Sequence, residues 1–365
     1  MSIVEIAKLA GVSTATVSRI INGLPGASSK TIARVQAIIK DTKYRPLRVH
    51  NKRERPRLAS KGLLGDIAVV TIGNEQAGWL KLPTFASVLN GISNGAAQHN
   101  TSLAFIDIYD DGELSPALKT AKIRGAIAFV SGDLSTEYVR QTIRSLSKKM
   151  PVVWAMGSEV AGSGVDHVAP NNFGVGQIAC RHLLDLGCKR LAFMTHGPQW
   201  PIMRSRFWGF SNSAFDEGLY VSAYLDGTDD KLREIYGPRT FLAPELTELV
   251  DRLAQNSEFP DGLFVSTDFL AAQIHPMLTK KGIRVGKDLH IISCDNATNH
   301  LARMQPRPAT IDIGAQEIGF RAFSRLVNRI ECTGWAAVTH SSLAAIGLAL
   351  TTRCVQTVRP KSTPE

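Results

Sequence analysis

SIVEIAKLAGVSTATVSRIINGLPGASSKTIARVQAIIKDTKYRP, running from Ser2 to Pro46, is the stretch from which the rest of the chain takes its meaning. Ser2 and Glu5 have the S-x-x-E spacing of a capping box, in which the two side chains satisfy free backbone N–H groups at a helix start. The helix they open carries Ile3, Ile6, Ala7 and Ala10 on one face. Gly11 ends it in a tight turn, and Ser13 stands where it can cap a second helix from Thr14 to about Ile21. Asn22-Gly23 and Leu24-Pro25-Gly26 break the chain. Ser28 can then cap a third helix, buried through Ile32, Val35, Ile38 and Ile39. Two short helices about a glycine turn, braced by a third, have the form of a helix-turn-helix, whose second helix enters the major groove of DNA.

The distribution of charge points the same way. Residues 1–60 hold twelve Lys and Arg against three Asp and Glu, so nine of the chain's ten net positive charges lie there. A polyanion bound at one end of the molecule explains such concentration, with counterion release driving affinity. A uniformly basic protein would support a much vaguer expectation.

At 365 residues the chain suits a small head and a large two-lobed body. No run of about 18 apolar residues offers a membrane span. Because the N-terminus opens directly on a capped amphipathic helix, no secretory leader and a cytoplasmic location are expected. The five cysteines, Cys180, Cys188, Cys294, Cys332 and Cys354, show neither C-x-x-C spacing nor clustered histidine partners. Reduced, buried thiols are therefore expected, with no metal and no structural disulfide. The N-F-G-V-G-Q segment around Gly174 lacks the third glycine and the acid of a dinucleotide fingerprint. With no H-E-x-x-H, G-x-S-x-G or P-loop pattern either, neither a cofactor nor an enzyme is expected.

Beyond a basic connector, apolar runs alternate with amphipathic ones. Strands are expected at Asp66–Ile72, Ser102–Asp107, Gly125–Val130, Pro151–Met156, Arg190–Thr195, Gly262–Thr267, His290–Asp295 and Ala309–Ile313. Helical patterns lie between them, as in TFASVLNGISNGAAQHN, GVGQIACRHLLDLG and FLAAQIHPMLTKKG. Such repeated strand–helix units indicate α/β lobes with parallel sheets flanked by helices on both faces. There are too many units for one comfortable open sheet, so two lobes are expected. A ligand would then bind in the cleft, outside the carboxyl ends of the strands.

AGVSTATVSRIING and the YRP at Tyr44 to Pro46 strongly resemble the recognition segment and helix-3 exit of the LacI/GalR family of bacterial transcription regulators. The likeness continues through the body. APNNFGVGQIACRHLLDLGCKRLAFM resembles the family's D-N-x-x-G-G-x-x-A-x-x-H-L-x-x-L-G-H-x-x-I-A, and RSRFWGF its R-x-x-G-F. PDGLFVSTDFLAAQI resembles P-D-A-I-F-x-x-N-D-x-x-A, and KKGIRVGKDLHIISCDN resembles G-I-x-V-P-x-D-x-S-V-x-G-F-D-D. The resemblance implies a helix-turn-helix head on a two-lobed, periplasmic-binding-protein-like core. It also implies a ligand-responsive regulator that binds a near-palindromic double-stranded DNA operator as a homodimer. The boundaries expected are a head at 1–46, a basic hinge at 47–62, a core at 63–358 and a tail at 359–365. The tail carries no leucine heptads, so no tetramerising coiled coil is expected.

Residues for each task follow. At the start of the second helix, Thr14 and Ala15 occupy the positions that vary in the family and set operator choice. Small side chains there suit apolar contact, such as with a thymine methyl. Arg19 is the candidate for a hydrogen-bonded base contact. Ser13 caps, and Thr16, Ser18, Asn22 and Tyr44 are expected on phosphates. In LRVHNKRERPRLASKG two readings stand side by side: Leu58 wedged into the minor groove, or a basic linker holding phosphates.

For the effector, Arg206 and Asp295 match family contact positions; an arginine can fork two hydrogen bonds, and a carboxylate can accept from vicinal hydroxyls or ring nitrogens. Asp268 and Phe85 match further cleft positions. Three departures stand out: Pro170 for the Asp of D-N, Thr267 for the Asn before Asp268, and Asn296 for the second acid of F-D-D. Trp79 and Trp200 fall in loops where they either stack on a ligand or pack between lobes, and Trp208 is expected in the core. A small carbohydrate is the expected effector, with a purine or nucleoside as alternative. The rival from outside the class is a solute-binding sensor without specific DNA binding.

Overall fold

The computed structural model describes residues 3–21, 27–42, 66–73, 83–108, 118, 123–130, 136–157, 165–331 and 353–355. The chain divides into two compact units, Met1–Gly62 and Leu63–Glu365.

In the first unit α1 (Ile3–Ala10), α2 (Thr14–Ile21) and α3 (Ser29–Asp41) close around Ile6, Ala7, Ala10, Val17, Ile20 and Val35. Gly11 turns the chain with φ +60, a left-handed conformation that glycine adopts without a Cβ penalty. The two serine caps form as their positions suggest. Ser13 Oγ accepts the N–H of Thr16 at 3.1 Å, and Ser28 Oγ accepts that of Thr31 at 3.3 Å.

The second unit has two lobes. In the first, β1 (Asp66–Ile72), β2 (Leu103–Ile108), β3 (Ile123–Val130), β4 (Val152–Ala155) and β5 (Asp166–Val168) form a parallel sheet in the order β2-β1-β3-β4-β5. Its helices are α4 (Pro83–Gln98), α5 (Thr136–Ser147) and, returning from the end of the described core, α12 (Ala315–Glu331). The second lobe runs through α6 (Asn172–Asp185), β6 (Leu191–Thr195), α7 (Pro201–Asp216), β7 (Val221–Asp226), α8 (Leu232–Tyr236), β8 (Thr240–Ala243) and α9 (Leu246–Gln255). It continues through β9 (Gly262–Val265), α10 (Asp268–Lys280), β10 (His290–Cys294), α11 (Thr298–Leu301) and β11 (Ala309–Asp312). Its sheet has the order β12-β11-β10-β9-β6-β7-β8, parallel except for the edge strand β12 (Arg353–Val355).

Continuous apolar runs explain the parallel sheets. Leu191–Thr195 and Gly262–Val265 are buried at every position, as strands covered on both faces must be. Two helix pairs cross at backbone contact. A Cβ at Gly91 or Gly319 would stand 1.9 Å from a carbonyl oxygen of the partner helix, which locks α4 to α12. Gly176 and Gly209 do the same for α6 and α7, at 2.1 and 1.9 Å. Each pair includes the helix that follows a crossover between the lobes, at residues 169–171 and 313–314.

Candidate DNA-reading helix and effector site

On α2 the buried Val17 and Ile20 define the inward face. Helical spacing turns Ser18 away from that face and sets Thr14 on its flank, while the side chains of Ala15 and Arg19 lie outside what the structure describes. Ser13 and Thr14 are exposed, and Thr16 and Ser18 are half-buried. The Ser13 and Thr16 hydroxyls bond each other at 2.9 Å, fixing both at the helix start. Asn22, Tyr44 and Leu58 lie outside the described residues, as does the basic connector.

In the second lobe the chemistry gathers at the carboxyl ends of three neighbouring strands, β6, β9 and β10. Arg206 rises from α7 and is 4% exposed. Its Nη2 donates to Asp295 Oδ1 at 3.1 Å, its Nε to Asn172 Oδ1 at 3.1 Å, and its Nη1 to the Ser266 carbonyl. Burial alone would lower the pKa of Arg206, but the acidic groups around it, Cys294, Asp295 and Asp268, more than offset this. Burial pushes Asp295 up, and Arg206 only partly counters it.

Asp295 sits at φ 109 and Asn296 at φ 52, conformations costing non-glycine residues on the order of 1–3 kcal/mol. Asp268 explains how the loop holds them. Fully buried, it accepts Ser293 Oγ at 2.5 Å and Thr310 Oγ1 at 2.7 Å on one oxygen, and the Ala297 N–H at 2.6 Å on the other. Burial raises its pKa to about 6, against these hydrogen bonds. Asp268 therefore acts as a strut behind Asp295, with its bonds turned inward.

The aromatic side is built from Trp200 and residues that the sequence reading passed over. His196, just beyond β6, meets the edge of Trp200 at 5.7 Å and of Phe269 at 6.3 Å; Phe269 in turn meets His300 at 5.4 Å. Gly197, at φ +59, lies flat under the Trp200 ring, where a Cβ would come within 2.7 Å. Burial and the nearby Arg206 charge lower the His196 pKa, leaving a neutral ring. Phe269 is 43% exposed despite its bulk. Its place in the first turn of α10, a few residues past the end of β9, was the signal the sequence offered.

Two expectations change. Phe85, matched to a cleft position, is 3% exposed and packs edge-on against Phe129 at 5.0 Å, inside the first-lobe core. Trp208, expected in the core, is 47% exposed, because α7 spends its inward face on Met203, Phe207 and Phe210. Trp79 lies outside the described residues. Among the described residues no cluster of His, Cys, Asp and Glu could hold a metal ion, and no helix is long and apolar enough to cross a membrane.

Known proteins share this arrangement. "Bacterial regulatory proteins, lacI family" matches residues 2–46, and "Periplasmic binding protein-like domain" matches residues 180–353. The HTH-type transcriptional repressor PurR of Haemophilus influenzae is 25% identical over 336 residues, covering 90% of this chain and 91% of its own. Catabolite control protein A of Priestia megaterium is 26% identical over 339 residues, covering 90% and 93%. A complex of the transcriptional regulator CelR with cellobiose superposes over 98% of both chains, with a TM-score of 0.60 at 20% identity. The lac repressor dimer bound to operator and the anti-inducer ONPF gives 0.57 at 18% identity, over 93% of this chain and 94% of that one. These structures share the fold, and the head adds the specific sequence pattern. With a helix-turn-helix of that pattern joined to a two-lobed ligand-binding core, the chain belongs to the lacI family of bacterial regulatory proteins, DNA-binding regulators of transcription.

Proposed function

We propose that this regulator binds a near-palindromic operator as a homodimer in the cytoplasm, acts as a repressor, and answers a small carbohydrate bound at the ends of β6, β9 and β10. The functional boundaries follow the sequence reading: head 1–46, hinge 47–62, core 63–358 and tail 359–365. On α2 and its cap, Ser13, Thr14, Ala15, Thr16, Ser18 and Arg19 meet DNA. One such head spans too few base pairs for specificity, and a two-fold pair doubles the interface.

The observation that carries the effector reading is the incomplete pairing of Arg206 and Asp295. Arg206 uses three of its five N–H groups, and Asp295 keeps acceptor capacity. Adjacent ring hydroxyls can accept from the first and donate to the second, while the C–H face of a sugar lies on Trp200 and Phe269. A purine or nucleoside is the second reading, favoured by those same ring faces. The site reads as a binding device without catalysis, since neither residue stands beside an activated nucleophile. Cys180, Cys188 and Cys294 are free and buried, and burial raises Cys180 to about 12 and Cys188 to about 11, in keeping with reduced, inert thiols.

A thermal-shift screen against mono- and disaccharides, sugar phosphates, purines and nucleosides tests this. A ligand at 100 times its Kd stabilises the fold by about 2.7 kcal/mol. The expected result is a selective shift with one sugar, lost in Asp295→Ala. A shift confined to purines would remove the carbohydrate reading and leave the operator-binding regulator standing.

A further inference from the structure

Arg206 and Asp295 each stand one side chain away from a crossover between the lobes. At the first crossover Asn171 caps α6, accepting the Gly174 N–H at 2.9 Å. Asn172 is thereby free to turn inward, where it is 8% exposed. Its Oδ1 accepts Arg206 Nε at 3.1 Å, and its Nδ2 donates to the Pro170 carbonyl at 3.3 Å. Rotating the amide would set N–H against N–H and oxygen against oxygen, so both partners fix its orientation.

The second crossover repeats the scheme. Asn296, next to Asp295, donates its backbone N–H to Thr310 Oγ1 at 3.2 Å and its Nδ2 to Asp312 Oδ2 at 3.3 Å. Asp312 Oδ1 then accepts the N–H of Gly314 at 2.8 Å, in the crossover itself. An acid at 296 would face Asp312 charge to charge, which accounts for the asparagine that replaces the second acid of F-D-D.

We propose that Asn172 and Asn296 are positioning residues that tie the Arg206–Asp295 pair to the crossovers at residues 169–171 and 313–314, so that occupancy of the pair is transmitted to these joints between the lobes. This rests on the reading of that pair as the effector site. A ligand that draws on Arg206 or Asp295 must change the hydrogen bonds these residues make on their far sides. The backbone contact at Gly176 and Gly209 locks α6 to α7, so little of the change is absorbed within the lobe. The crossovers are where it is released.

Hydrogen–deuterium exchange on the full-length protein tests the ties without effector or DNA, so its result is independent of whether the operator and carbohydrate readings hold. Arg206→Lys keeps the charge but cannot hold all its partners, and should raise exchange about five-fold in peptides 165–176 and 309–318, neither of which contains residue 206. Asn172→Asp, which retains the acceptor for Arg206 and loses the donor to Pro170, should raise it in the first peptide alone. Asn296→Asp should raise it in the second alone. Adding Asp312→Asn to Asn296→Asp restores a donor–acceptor pair with its direction reversed, and should bring exchange back to within about two-fold of the native protein. Unchanged crossover peptides in folded Arg206→Lys, a uniform rise across the whole core, or no rescue by the double substitution would each overturn the proposal.

Discussion

The two lobes are built on one plan and differ in how they treat carboxylates withdrawn from water. In the first, Asp166 on β5 is held by two arginine forks from α12: Arg325 at 2.7 and 3.2 Å, and Arg329 at 2.6 and 3.0 Å. In the second, Asp268 and Asp295 draw on the single guanidinium of Arg206, and only Asp295 bonds it. Cation outnumbers acid in the first cluster and acid outnumbers cation in the second. The first arrangement spends its charges on holding a helix against a sheet edge. The second leaves hydrogen-bonding capacity unspent, and that surplus is what a polar ligand can use. On the proposed effector reading, a binding site arises on a repeated architecture by pairing its charges incompletely.

The shared part of the plan gives the largest expected effect. Gly319→Ala in the first lobe and Gly209→Ala in the second each place a methyl 1.9 Å from a backbone carbonyl oxygen, where no side-chain rotation relieves the clash. Each should cost about 3 kcal/mol, the upper end of overpacking penalties, measured by urea unfolding. If one lobe tolerates its alanine within about 1 kcal/mol, the two helix pairs are not equivalent locks and the comparison fails at its root.

The carboxylates should separate the lobes by pH. Burial raises Asp268 from 3.8 to about 6, so between those values the folded state holds a proton that the unfolded state has released. Stability therefore falls as pH rises through that window, by about 1–3 kcal/mol. Asp166 has the opposite sign. Burial works against its charge, but Arg329 and Arg325 outweigh this and hold its pKa below 3.8. Its contribution is present above that value and is lost as pH falls through the lowered one. Burial lowers the pKa values of His182, His196 and His275, which oppose Asp268 on the native profile, so the contrast is read by difference. The native advantage over Asp268→Asn should shrink between 3.8 and about 6, and that over Asp166→Asn should shrink as pH falls below 3.8. Superimposable profiles for the native protein and Asp268→Asn would dissolve the contrast.

Much of this was legible in the sequence, and the omissions have causes. The head was readable because caps, a glycine turn and apolar spacing all act within a few residues of one another. Eight strands were found from apolar runs, whereas Asp166–Val168, Val221–Asp226, Thr240–Ala243 and the edge strand Arg353–Val355 were not. Asp166–Val168 has three residues, two of them polar, and Thr240–Ala243 has four, too short for any period to register. Val221–Asp226 places Ser222 and Asp226 at its half-buried positions, which blurs the run. Arg206 and Asp295 came from resemblance, and the structure brings them to 3.1 Å. The inward bonds of Asp268, and the turn of Asn172 toward Arg206, depend on residues distant in sequence, which no local pattern encodes.

The smallest expected effect concerns that pair of asparagines and separates capping from positioning. Asn171 satisfies one of the free N–H groups of α6, at Gly174, and touches neither Arg206 nor Pro170 through its side chain. Asn171→Ala should cost about 1 kcal/mol in urea unfolding, as loss of an N-cap does. Asn171→Asp should recover most of it, because a carboxylate accepts the same bond and favours the positive end of the helix dipole. The first lobe has no counterpart to lose: α12 follows Gly314 directly, and the turn before it is held by Asp312, one residue before the crossover. Should Asn171→Asp fail to recover what alanine removes, Asn171 would be contributing through the shape of the crossover instead of through its cap. The two lobes would then differ in how their crossovers are held as well as in how their carboxylates are paired.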